Sequence, residues 1–165
     1  MACAQEAPAR REASEPGVKA AFLYKFASYV EWPASAFAGP NSPFVIGVLG
    51  AEEVASELER IVQGKSVHGH PAAMRRVKEG ESLAGVHVLF VGRGLMNLRG
   101  ILRGAQQPGT LLVTDVDRGL EMGSAINFVF ADDRVGFEVS VEAAERNGLK
   151  ISSRMLNVAR RVVSR

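Results

Sequence analysis

Three short, almost uninterrupted apolar runs limit the folds open to this chain. They are Phe44–Leu49 (FVIGVL), Val86–Val91 (VHVLFV) and Thr110–Thr114 (TLLVT). Runs of this length without polar alternation mark strands buried on both faces, and such strands belong to parallel sheets covered by helices. The intervening segments carry the matching helical period. Ala51 to Val62 places Val54, Leu58, Ile61 and Val62 on one stripe and meets Gly64 beyond its end. Leu95 to Ala105 does the same with Leu95, Leu98, Ile101 and Leu102.

Past Asp115 the period changes from helical to alternating. Ile126, Phe128 and Phe130 share one face of a strand, and Val135, Phe137 and Val139 share the facing one of its hairpin partner, around a turn at Ala131-Asp132-Asp133. A short helix follows from Val141 to Arg146, and Ser152 or Ser153 is placed to cap a last helix carrying Met155, Leu156, Ala159 and Val162. The expected fold is α/β: a single-domain three-layer sandwich, with a mixed, mostly parallel sheet, helices on both faces and a late antiparallel hairpin.

The longest apolar-rich segment, Gly17 to Pro33 (GVKAAFLYKFASYVEWP), organises the rest. At helical spacing Val18, Phe22, Phe26 and Tyr29 form one apolar surface and Leu23, Ala27 and Val30 a second, with Tyr24, Ser28 and Glu31 between them. A helix apolar around most of its circumference is a core helix. Lys19, Lys25 and Glu31 interrupt it too often for a membrane span. Pro33 disfavours helical geometry at Trp32 and so sets its end.

Composition excludes little else. With 165 residues, 47% hydrophobic content and a formal net charge of +2, nothing electrostatic calls for nucleic acid, and the late Arg154, Arg160, Arg161 and Arg165 read as cations in a terminal helix. Ala2-Cys3-Ala4 before Gln5 has the small-x-small form of a secretory cleavage site. Residues 1–16 are therefore read as a signal-peptide remnant and flexible leader, and residues 17–165 as the domain. Cys3 is the sole cysteine, so no intramolecular disulfide forms.

The chain shows no nucleophile elbow, no phosphate-binding loop and no paired cysteines, and no motif implies a cofactor. His68 and His70, two apart, would share a face on a strand, but no third ligand accompanies them, and a solvated loop explains them better than a metal. Gly50, Arg93 and Asp115 all follow buried strands, where ligands of open α/β sheets bind. They form the candidate small-molecule site.

Four blocks, VKAAFLYKFASYVEWP, FVIGVLG, AINFVFADDRVGFEVS and GLKISSRMLNVA, stand in the order found in the YfiR family, which the chain resembles from Val18 to Ala159. The resemblance implies a non-enzymatic periplasmic regulator. The namesake represses an inner-membrane GGDEF-domain diguanylate cyclase by binding its periplasmic domain, and an outer-membrane lipoprotein sequesters it in turn. Lower cyclase output means less cyclic di-GMP, exopolysaccharide and biofilm. Two departures stand out. The namesake's redox-sensitive cysteine pairs are absent here, and Ser140 replaces a usual Asn, a change that keeps a helix cap. Some relatives accompany sensor kinases, so a small-molecule sensor acting on a kinase is the alternative. Partner contacts are expected at Tyr24, Glu31, Trp32, Phe37 and Arg154, led by Trp32 and Arg154 because such side chains concentrate interface energy. A homodimer is the expected state.

Overall fold

The computed structural model describes residues 14–164, so residues 1–13 of the expected leader, with Cys3, lie outside the described residues. Glu15 and Pro16, expected to belong to that leader, instead form the first turn of a helix capped by Ser14. The chain forms α1 (Glu15–Tyr29), β1 (Val30–Glu31), β2 (Phe44–Leu49), α2 (Glu52–Val62), β3 (Ser66–Val67) and β4 (His70–Arg76). It continues through β5 (Val88–Val91), α3 (Leu98–Gly104), β6 (Leu111–Thr114), β7 (Ile126–Ala131) and β8 (Arg134–Ser140). The last elements are α4 (Val141–Arg146), β9 (Lys150–Ile151), α5 (Ser153–Val158) and β10 (Arg161–Val163).

Eight strands make one sheet in the order β10-β8-β7-β6-β5-β2-β4-β3. Strands β4, β2, β5, β6 and β7 are mutually parallel, while β8 returns antiparallel to β7 and β3 antiparallel to β4. The sheet is mixed and mostly parallel, with helices on both faces.

Alternation along the strands builds both layers. Phe44, Ile46, Val88, Phe90, Leu111 and Val113 face α1 and α2, whose Leu23, Phe26, Ala27, Val54 and Leu58 are buried against them. Leu49, Leu89, Val91 and Leu112 face the other way, onto Leu102 and Ala105 in and beside α3. The hairpin register pairs Ile126 with Val139, Phe128 with Phe137 and Phe130 with Val135. Its two-residue turn puts Asp132 and Asp133 at φ 55° and 59°, the left-handed geometry a tight hairpin needs. Ser140 Oγ accepts from Ala143 N and Ser152 Oγ from Met155 N, so both serines cap helices.

Several boundaries differ from the sequence expectation. Helix α1 stops at Tyr29, because Val30 and Glu31 pair with Ile151 and Lys150 in a separate two-stranded sheet. His68 closes the helix end from outside: its Nε2 lies 2.9 Å from Ala27 O and 2.8 Å from Val30 O. His68 also sits at φ 52° in the tight β3–β4 turn, so it does not share a strand face with His70. The last helix ends at Val158, and Arg161–Val163 pair with Glu138–Ser140 as a parallel edge strand. Val162 is accordingly exposed, and Arg160 and Arg161 lie outside any helix, beside Asp132 and Glu138. Finally α3 begins at Leu98, with Leu95 left in the preceding loop.

Candidate functional site: a charged cleft and an apolar groove

The chain leaves β2 toward β4 on one side and returns to β5 on the other, so the strand order reverses between β2 and β5. Open α/β sheets form a crevice at the carboxyl ends of the two strands flanking such a reversal. Here that crevice is a cleft of about 410 Å³, and Gly50, Arg93 and Asp115 all line it. The structure thus brings together the three residues proposed from sequence as a ligand site. Two glycines set its floor. Gly50 has φ 77°, and a Cβ on Gly92 would lie 2.5 Å from the Gly50 carbonyl oxygen.

Within the cleft, charges alternate. Lys19 Nζ stands 2.7 Å from Asp115 Oδ2 and 2.5 Å from Glu15 Oε2. Arg93 completes the ring more loosely, 3.3 Å from Glu15 and 3.7 Å from Asp115. Its side chain is 66% exposed, whereas those of Lys19 and Asp115 are 7% and 8% exposed. The hydrogen bond from Lys19 is the main reason Glu15 is held below the usual carboxylate range, with Lys19 and Arg93 charge adding to it and burial opposing. Asp115 Oδ1 is buried with no hydrogen-bond partner. Lys19 escaped the sequence reading because its partner lies far along the chain. The available signal was its spacing, since position 19 falls one turn before buried Leu23.

The proposed contact residues are dispersed. Trp32 Nε1 donates to Gly109 O at 2.8 Å and the indole meets Phe44 edge-on at 4.8 Å. Phe37 lies in a ring stack, 3.9 Å from His70 on one side and 4.5 Å from His87 on the other, and Phe44 continues it at 4.8 Å from His87. His87 Nδ1 accepts from Val45 N and Nε2 donates to Ala36 O, which fixes the neutral tautomer. Burial is the main cause of its depressed pKa, with nearby His70 acting in the same direction and the Ala36 bond against. All three histidines are therefore engaged in packing and backbone bonds, and no group of three or more metal-ligating side chains occurs among the described residues. Tyr24 reaches toward Ser66 O on the α2 side of the molecule, and Glu31 is exposed on β1.

Arg154 lies elsewhere, at the rim of an apolar groove of about 530 Å³ between α1 and α5. Phe22, Tyr29, Phe137 and Val158 line it, together with the two cations Lys25 and Arg154. Tyr29 is 41% and Val158 69% exposed. Exposed apolar residues that gather on one concave surface mark an interaction site more often than isolated ones do.

The fold is thus a helix-covered, mostly parallel α/β sheet with a charge-ringed cleft at its strand reversal and an apolar groove along its first helix. The chain belongs to the YfiR/HmsC-like family, whose model matches residues 16–160. Membership supports a regulatory role in periplasmic diguanylate cyclase signalling. No curated protein matches the chain. Among the described residues, no helix is long and apolar enough to cross a membrane.

Proposed function

We propose that this protein acts in the periplasm by binding the periplasmic domain of an inner-membrane diguanylate cyclase and holding the cyclase inactive. Family membership supports the signalling role, and the observation that carries the mode of action is the groove between α1 and α5. Its apolar walls and two cationic rims suit an amphipathic segment with acidic flanks. Arg154 makes the rim contact, and Glu31 extends the same face, since β1 pairs with β9 immediately before α5. Trp32 and Phe37 contribute by fixing the β1 corner, and Tyr24 by anchoring α1 to β3.

Repression by this route requires tighter binding to the inactive cyclase than to the active one. Capture by an outer-membrane lipoprotein would then release the enzyme, and a homodimer would present two grooves to a dimeric target. The experiment is co-purification of the cyclase periplasmic domain with the exported chain and with Val158→Glu. A charge at an exposed site leaves the fold intact, so loss of the complex with unchanged thermal stability supports the groove. Retention of the complex overturns it.

A further inference from the structure

We infer that the cleft at the β2–β5 reversal is a binding site for a small primary amine, taken up as its ammonium ion. The site is built by the fold, because the chain's reversal of strand order places the ends of β2 and β5 side by side and leaves the crevice open. Its unfilled requirement is for a donor. Lys19 and Arg93 both approach Asp115 through Oδ2, which leaves Oδ1 buried and bare on a side chain only 8% exposed. Buried carboxylate oxygens without a partner are costly, and a ligand donor removes the cost.

The sign of the charge points the same way. The carboxylates of Glu15, Glu52, Glu53 and Asp115 face two cations, Lys19 and Arg93, across the cleft. Arg76 holds Glu52 from outside at 2.9 Å, and Glu15, Glu53 and Asp115 still outnumber the cleft's cations. The amino end of α2 opens here too, and an uncapped helix start attracts anions, but Glu52 and Glu53 already answer it from the first turn. What is left over is negative.

Arg93 is the exchangeable member of the ring. It is exposed and makes the two longest contacts, so an incoming ammonium displaces its guanidinium and donates to Asp115 and Glu15, while Lys19 stays buried beneath. A volume of about 410 Å³ suits a small molecule rather than a protein segment.

Calorimetric titration of the full chain with putrescine at low ionic strength tests this. Saturable binding is expected for putrescine but not for 1,4-butanediol, which has the same length without the charge, nor for acetate. Arg93→Ala is expected to tighten putrescine binding about fivefold, because a competing cation leaves the site. Asp115→Asn is expected to abolish binding. Glu53→Gln, which touches no partner among the ion pairs described, is expected to weaken binding about twofold, and it covers the case in which Asp115→Asn fails to fold. Absence of binding through the millimolar range, equal binding of the diol, or weaker binding by Arg93→Ala each overturns the inference. Cyclase repression plays no part in this readout, so failure here leaves the docking reading untouched.

Discussion

Lys19 Nζ lies 2.7 Å from Asp115 Oδ2, joining the first turns of α1 to the exit of β6 across 96 residues of sequence. Both side chains are more than nine-tenths buried, so their charges need partners, and each is the other's most buried one, with Glu15 also on Lys19 and Arg93 more loosely on Asp115. Lys19→Met leaves the Asp115 carboxylate with only the distant Arg93, and we expect a loss of about 3 kcal/mol in urea unfolding. The pair itself is dispensable. Lys19→Met combined with Asp115→Leu is expected to recover most of that loss, since an apolar pair of similar volume replaces two desolvated charges.

His87 makes stability depend on pH in a defined window. Its pKa is depressed in the folded state, so above the unfolded value of about 6.5 both states are neutral and stability is full. As pH falls below about 6.5 the unfolded chain gains a proton that the folded chain resists, and stability is lost. Protonation at Nδ1 would also set an N–H against the Val45 N–H it now accepts from. The melting temperature should therefore fall between pH 7 and pH 5, and His87→Gln should flatten that slope.

Gly92 is required where β5 ends. A Cβ there would stand 2.5 Å from the Gly50 carbonyl oxygen, and a backbone oxygen does not yield as a side chain does. Gly92→Ala is expected to cost about 2 kcal/mol by denaturant titration.

Trp32 combines a hydrogen bond to Gly109 O with edge-on packing against Phe44. Trp32→Phe should lose about 1 kcal/mol, the value of the bond, and Trp32→Ala about 3 kcal/mol. If Trp32 instead serves only a partner, both variants melt like the parent.

The sheet was legible wherever one residue type filled both faces. Phe44–Leu49 and Leu111–Thr114 needed no knowledge of their neighbours, because a strand covered on two sides must be apolar throughout. The hairpin was legible from alternation and from Asp132-Asp133 between its arms. The boundaries that differed depended on distant residues. Tyr29 ends α1 because Ile151 and Lys150 pair with Val30 and Glu31 and because His68 takes the free carbonyls, and no local propensity encodes either event. Arg161–Val163 became a strand because the edge of β8 was vacant beside it. For the candidate sites, position alone was enough to group Gly50, Arg93 and Asp115 in one cleft, since strand ends converge at a reversal. Lys19 and Glu15, which complete that cleft, and Val158, which opens the groove, needed the three-dimensional arrangement.

The most direct test of the account is cyclic di-GMP in the native host with and without this gene. Deletion should raise it. A copy exported to the periplasm should restore the lower level, whereas a cytoplasmic copy or exported Val158→Glu should not. Unchanged cyclic di-GMP on deletion, or restoration by the cytoplasmic copy, would contradict repression of a cyclase from the periplasm.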